Sequence, residues 1–244
     1  MRAFLAALGF LTVLPVPSDG KALKQSVPWF PVVGLLIGGL IASLDYALGH
    51  VFPPLVTSVL IVIALIGISG GLHLDGLADT ADGFLSSPRS DRGVLEIMKD
   101  SRIGTMGTLA IVSVFAMKVA CLSNVIGSRF EVILLMPVAG RCAMVLTMAV
   151  IPYARPEGGL GSAFEGNDRI APLMALAVLF MASWLVLGGW MGMASAMLAV
   201  IIGLFMAIWS YLKIGGFTGD VLGAACEIAE IAPALVASAL VHLW

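Results

Sequence analysis

The sequence predicts an all-α, polytopic membrane protein of about seven transmembrane helices, forming a single membrane-embedded domain over residues 1–244. Three observations carry that prediction. Of the residues, 60% are hydrophobic and only 11% charged, with a mean hydropathy of +1.06. Soluble domains carry about 25% charged residues, so this composition excludes them. The apolar residues gather near 30–50, 55–72, 104–123, 130–151, 171–188, 192–212 and 228–244. Most of these approach the roughly 20 residues that cross about 30 Å of hydrocarbon. Finally, the charges collect between alternate stretches, on one side of the membrane.

Residues 1–14 form an apolar run that stops at Pro15 and Pro17 without an Ala-x-Ala site. That pattern is not a cleavable signal peptide and predicts a short helix on the membrane surface or against the bundle. The second span, 55–72, can continue as one helix through the aspartates that follow it. Segments 15–29, 73–103, 152–170 and 213–227 share one side and hold Lys21, Lys24, Arg89, Arg92, Lys99, Arg102, Arg155, Arg169 and Lys213. The other side has Arg129 and little else that is basic. By the positive-inside rule the charged side is cytoplasmic. It also holds Asp75, Asp79, Asp82, Asp100, Glu157, Glu165, Asp168, Asp220 and Glu227. Polar chemistry at one surface suits an enzyme drawing soluble substrates from the cytoplasm. A transporter more often keeps its ionisable groups near the midplane. No basic tract suggests a nucleic-acid partner. Cys121, Cys142 and Cys226 have neither disulfide nor zinc spacing and read as inert thiols.

The densest signal is Gly70-Gly71-Leu72-His73-Leu74-Asp75-Gly76-Leu77-Ala78-Asp79-Thr80-Ala81-Asp82-Gly83. Asp75, Asp79 and Asp82 stand at i, i+4 and i+7, one face of a helix. Such carboxylates repel one another, and burial adds a desolvation cost that a cation relieves. Hard oxygen ligands suit Mg²⁺, Mn²⁺ or Ca²⁺. A divalent metal on Asp75, Asp79 and Asp82, gripping phosphates, is the expected site, and Asp82→Asn is expected to abolish activity without unfolding. His73 could ligate, carry a proton or orient a carboxylate.

A second cluster, Glu96-Ile97-Met98-Lys99-Asp100-Ser101-Arg102-Ile103-Gly104-Thr105-Met106-Gly107, sits at the mouth of the third span. Lys99 and Arg102 can hold phosphate oxygens. Asp100 can complete a metal shell, and Gly104 lets a helix start approach an anion. A third, Gly215-Gly216-Phe217-Thr218-Gly219-Asp220-Val221-Leu222-Gly223-Ala224-Ala225-Cys226-Glu227, places Asp220 and Glu227 on one helical face, with Thr218 just before it. Glu230 extends that stripe loosely. Arg141, in mid-span, needs an acid or a substrate phosphate. Lys118 is expected to snorkel toward the far membrane face. Asp45 has no assignment, and the Arg155–Phe164 stretch has the composition of a flexible loop.

These residues resemble the cobalamin synthase family, the adenosylcobinamide-GDP ribazoletransferases. The resemblance rests on Gly71 to Gly83, on Met98-Lys99-Asp100-Ser101-Arg102-Ile103-Gly104-Thr105-Met106-Gly107 and on Gly216 to Ala224. Phe10-Leu11-Thr12-Val13-Leu14-Pro15-Val16-Pro17 and Phe30-Pro31-Val32-Val33-Gly34 also fit. It implies an Mg²⁺-dependent multi-pass enzyme of the bacterial inner membrane. Such an enzyme transfers the adenosylcobinamide-phosphate group from adenosylcobinamide-GDP to α-ribazole or α-ribazole 5′-phosphate. GMP leaves, and adenosylcobalamin or its 5′-phosphate forms. The residues that would supply the chemistry are His73, Asp75, Asp79 and Asp82, with Lys99, Asp100, Arg102, Gly104, Arg141, Thr218, Asp220 and Glu227 toward substrate. Two alternatives stand beside this reading. CDP-alcohol phosphotransferases are loosely similar through Asp79-x-x-Asp82-Gly83, but Phe84-Leu85-Ser86 follows where that family has Ala-Arg. An ion-coupled transporter would place acids facing one another near the midplane. The sequence leaves assembly as a homo-oligomer open.

Overall fold

The computed structural model describes residues 1–244 apart from 17–18, 87–90, 126, 156, 165, 167–169 and 242–244. Arg89, Glu165, Asp168 and Arg169 therefore lie outside the described residues. Twelve α-helices run in order: α1 (Arg2–Leu11), α2 (Gly20–Lys24), α3 (Phe30–Leu48), α4 (Pro54–Ile68), α5 (Leu72–Leu85), α6 (Asp91–Ile97), α7 (Thr105–Asn124), α8 (Arg129–Val150), α9 (Ile170–Leu187), α10 (Gly189–Ile214), α11 (Gly219–Ala229) and α12 (Ile231–Val241). The only strand-like pairing among the described residues is a bridge between Tyr153 and Phe217. Among the described residues, six stretches are long and apolar enough to cross a membrane: Val27–Leu48, Thr105–Asn124, Arg129–Val150, Ile170–Leu187, Gly189–Ile214 and Gly219–Ala239. The bent pair α4 and α5 makes a seventh. The chain is a multi-pass, all-α membrane protein.

Helix α8 is the axis of the bundle, with 89% of its apolar window buried inside the protein, against 22% for α9. Lipid tails are as apolar as leucine, so close backbone packing drives such association. Gly34 and Gly38 of α3 show how. A Cβ on Gly34 would lie 2.8 Å from the Pro137 carbonyl oxygen, and one on Gly38 only 2.0 Å from that of Leu134. The four-residue spacing puts both glycines on the face of α3 that meets α8.

Helix α1 lies against the bundle, burying Ala6, Ala7 and Leu11. Phe10 meets Phe30 at 5.8 Å and Phe164 at 4.9 Å between ring centroids.

Two boundaries differ from the sequence expectation. The second span does not run on through the aspartates: α4 and α5 meet at 90°. Gly70 and Gly71 have φ of +62° and +78°, which favours glycine, and the Gly71 N–H donates to the Ile66 carbonyl at 3.0 Å. That is a helix-terminating cap. The last span begins at Gly219 rather than near 228 and continues past a break at Glu230. Asp220 and Glu227 thus belong to the membrane span, with Glu230, and not to a cytoplasmic segment.

At the opposite end of the bundle, Arg129 donates to both Asp45 carboxylate oxygens, at 2.9 and 2.7 Å, and to Thr57, Ser58 and the Leu122 carbonyl. This satisfied cluster clips α3, α4, α7 and α8 together and gives Asp45 its role.

Candidate active site

The 90° turn lays α5 between α11 and α7 at the end of the bundle that carries most of the basic residues. Glycines permit both contacts. A Cβ on Gly76 would come within 2.7 Å of the Asp220 carbonyl oxygen, and one on Gly223 within 2.9 Å of that of His73. On the other flank, a Cβ on Gly107 would lie 2.9 Å from the Ala78 carbonyl oxygen. So α5 is wedged by backbone contact, and its charged face is set by the helices beside it.

Asp75 is exposed and Asp79 half-buried on that face. Asp79 feels the negative charges of Asp220, Asp75 and Asp82 and the positive charge of Arg155. Asp82 is differently engaged. Its carboxylate accepts the Gly104 N–H at 2.7 Å and the Gly107 N–H at 2.8 Å, capping the N-terminus of α7. Helix N-termini leave such donors open and favour an anion there. A Cβ on Gly104 would displace the Asp82 carboxylate, and one on Gly107 would meet both that carboxylate and the Ala78 carbonyl oxygen. Asp82 thus has a structural partner that the one-face reading did not supply. Asp82→Ala is expected to destabilise the protein by about 1–2 kcal/mol, read by thermal unfolding in detergent. An unchanged unfolding temperature would remove the capping role.

Two cavities flank α5. A groove of about 730 Å³ is lined by Gly71, Asp75, Asp79, Lys99, Asp100 and Ser101 among others. A smaller cavity of about 270 Å³ is lined by His73, Asp75, Tyr153, Arg155, Gly219 and Asp220 among others. Asp75 and Leu72 belong to both. Asp75 and Asp79 thus share the groove with Lys99 and Asp100, and Asp75 shares the smaller cavity with Asp220.

The remaining expected residues stand as follows. Arg102 is 87% exposed and forks onto Asp100, with Nη2 to Oδ2 at 2.7 Å. That hydrogen bond holds the Asp100 carboxyl down at about 2. Lys99 lies 3.6 Å from Glu157 in an exposed pair. Thr218 is buried as the N-cap of α11, accepting the Val221 N–H at 3.3 Å. His73, two residues before Asp75, turns to the interior and is 2% exposed, with Nδ1 3.7 Å from the Cys226 sulfur.

Glu227 is not brought to the aspartate face. Its Oε2 accepts Lys118 Nζ at 2.6 Å, inside the bundle. Lys118 also donates to Glu230 at 2.7 Å, and Arg141 bonds the other Glu230 oxygen. Lys118 is therefore 1% exposed and does not snorkel. Arg141, expected to meet an acid or a substrate phosphate and placed toward substrate, meets the acid Glu230 in the buried interior instead of lining either cavity. These acids do face one another in mid-span, as a transport path would require. However, their side chains are only 3–5% exposed and two cations neutralise them, so they form a packed knot.

Sequence reasoning missed Arg155, placed in a loop. The chain there is pinned: Ala154 N–H donates to the Phe217 carbonyl at 2.9 Å, and Phe217 N–H to that of Pro152 at 2.8 Å. This bridge brings Arg155 Nη2 to Asp220 Oδ2 at 2.7 Å. The available signal was charge: an arginine near the surface and an acid with no cation assigned.

A family model described as cobalamin-5-phosphate synthase matches residues 3–238. The chain belongs to the cobalamin-5-phosphate synthase family. A curated relative named adenosylcobinamide-GDP ribazoletransferase, from Roseiflexus sp. (strain RS-1), is 40% identical over 92% of this chain and 85% of its own. One of the same name from Acetivibrio thermocellus is 39% identical, over 93% and 94%. Another from Chlorobaculum parvum is 40% identical, over 100% and 96%. No solved structure gives a significant match. In this cobalamin-5-phosphate synthase family member, the three motifs that carried the resemblance are the ones that build α5, the mouth of α7 and the start of α11. They meet around the two cavities.

The donor chemistry around α5 also bears on Mg²⁺. Asp75, Asp79 and Asp220 offer hard oxygens, with Arg155 beside Asp220 and Lys99 on the rim of the larger groove, and a divalent ion would offset the negative charge that these aspartates place together. Among the described residues no group of three acids or other ligands is already closed into a metal site. Asp82 would join one only by loosening its hold on α7.

Proposed function

We propose that this protein is an adenosylcobinamide-GDP ribazoletransferase. It would transfer the adenosylcobinamide-phosphate group to a hydroxyl of α-ribazole or α-ribazole 5′-phosphate and release GMP. The observation that carries this reading is the pair of cavities sharing Asp75. A transferase must bring two substrates to one point, and each cavity can take one. The names of the relatives support the substrate pair.

In the reaction, the acceptor hydroxyl oxygen forms a bond to the phosphorus that carries the cobinamide group. The bond from that phosphorus to the GMP oxygen breaks, and GMP leaves with the electron pair. Asp75 lines both cavities, and a carboxylate oxygen not engaged by the metal would take the hydroxyl proton. Lys99, on the rim of the larger groove, would offset charge on the diphosphate oxygens. Asp79 and Asp75 would hold Mg²⁺, which when bound supplies further charge neutralisation to the phosphates. Holding both substrates beside one helix converts an encounter in water into an oriented one. The proposed setting is the bacterial inner membrane with the α5 end in the cytoplasm. Lys21, Lys24, Lys99, Arg102, Arg155 and Lys213 at that end support the orientation.

The test is GMP release by detergent-purified protein given adenosylcobinamide-GDP and α-ribazole 5′-phosphate. Expected is GMP in step with corrinoid product, requiring both substrates, lost in EDTA and restored by Mg²⁺. GMP release without acceptor would make the protein a hydrolase. Full activity in EDTA would remove the metal.

A further inference from the structure

We infer that the smaller cavity is the acceptor subsite, and that Arg155 binds the acceptor's 5′-phosphate and sets the preference for the phosphorylated acceptor. This rests on the transferase reading above. Three observations lead to it.

First, the cavity is lined by a cation with hydrogen-bonding capacity to spare. Arg155 lines it, its side chain is 16% exposed, and its Nε has no hydrogen-bond partner among the described residues. A donor left without a partner is costly, and a ligand beside the guanidinium would relieve that cost.

Second, the cavity is shaped for a small, partly apolar molecule. At about 270 Å³ it is close to the lower limit of small-ligand sites. Phe10, Leu72, Met144 and Tyr153 supply an apolar wall. That suits the aromatic base of a nucleoside. The donor carries a corrin ring and a nucleoside diphosphate, far too large for it, whereas the open 730 Å³ groove beside Lys99 can receive its diphosphate end.

Third, beside the carboxylates of Asp75 and Asp220, the cavity carries elements that favour one phosphate. Arg155 is the cation among the cavity's lining residues. It keeps one nitrogen on Asp220, which fixes the guanidinium, and leaves others for a ligand. An arginine fork matches phosphate oxygens. Gly219 opens the N-terminus of α11 onto the same space, and that end of a helix favours negative charge. Gly161 lets its loop close onto the Tyr153 ring at the cavity wall, where a Cβ would lie 2.8 Å from that ring.

The experiment compares kcat/KM for α-ribazole 5′-phosphate and for α-ribazole, in wild type, Arg155→Gln and Arg155→Lys. In Arg155→Gln the ratio of the two values is expected to fall by about 10- to 100-fold, the worth of a charge-assisted contact. Any loss common to both acceptors cancels from that ratio. Arg155→Lys keeps the charge and is expected to recover part of it. Equal losses on both acceptors in the two variants would overturn the assignment, because a donor-side or structural role moves them together. If wild type turns over neither acceptor, the transferase reading itself falls, and the subsite with it.

Discussion

Asp79→Asn is expected to lower transfer by about 10³-fold while leaving the protein folded. The magnitude is that of removing a group that stabilises charge developing in the transition state. The reasoning starts from position. Asp79 stands half-buried on the cavity side of α5, with Asp220, Asp75 and Asp82 as its negative neighbours and Arg155 as the nearby cation. A carboxylate so surrounded weakens the fold when no cation is bound, since like charges repel and burial adds to the cost. Asparagine removes the charge and keeps the shape. In EDTA the variant is therefore expected to unfold at the same temperature as wild type or higher. Wild type should gain stability on adding Mg²⁺, by mass action, and the variant should gain less. Thermal unfolding with and without Mg²⁺, beside GMP release, reads both parts. A variant that still transfers at the wild-type rate would take Asp79 out of the site.

The contrast with Asp82 shows what was legible in the sequence and what was not. Spacing alone set Asp75, Asp79 and Asp82 on one face, and the structure keeps all three on α5. Yet Asp82 spends its oxygens on the Gly104 and Gly107 amides, 22 and 25 residues away in the chain. Helical periodicity reports which residues share a face, not which neighbour later covers it. The glycines after Arg102 were read as room for an anion. They are, but the anion is the protein's own carboxylate.

The same limit explains the bend and the span ends. Hydropathy found every span because burial in lipid depends on composition over about 20 residues. It could not see the turn at Gly70 and Gly71, where two residues of positive φ redirect the chain. It also set the start of the last span nine residues late, because Asp220 and Glu227 lower the local average. Had the span been allowed to begin at Gly219, Glu227 would have joined Glu230 inside it. Two intramembrane acids with Lys118 and Arg141 in neighbouring spans then suggest one another as partners, since unpaired charge in lipid is so costly. Arg155 was out of reach for another reason: its place depends on a bridge between Tyr153 and Phe217, 64 residues apart by their numbers.

Glu230→Ala is expected to cost about 3–5 kcal/mol of stability, the usual toll of stripping one partner from a buried ion pair. Glu230 sits where α11 gives way to α12. One of its oxygens accepts Lys118 from α7, and the other meets Arg141 from α8. Lys118 is 13 residues beyond Thr105, about 20 Å along a helix of 1.5 Å rise. The knot therefore lies deep in the bilayer, where no water can take over a lost partner. Two cations and two carboxylates, Glu227 being the fourth member, sum to zero charge. Removing Glu230 leaves Lys118 and Arg141 with one acid between them and unties three helices. Total stabilities run to about 5–15 kcal/mol, so the variant should give little folded protein. Lys118→Met alone leaves two facing carboxylates and should also be severe. The double variant Lys118→Met with Glu230→Gln restores neutrality, with Arg141 against Glu227, and should be less destabilised than the sum of its single changes. The measurement is the folded fraction and unfolding temperature in detergent of wild type, Lys118→Met, Glu230→Gln and the double variant. Strict additivity would mean that the charges act independently and that the knot is not a unit. A rescue in the double variant would assign these buried charges to holding α7, α8 and the last span together beneath the aspartate helix.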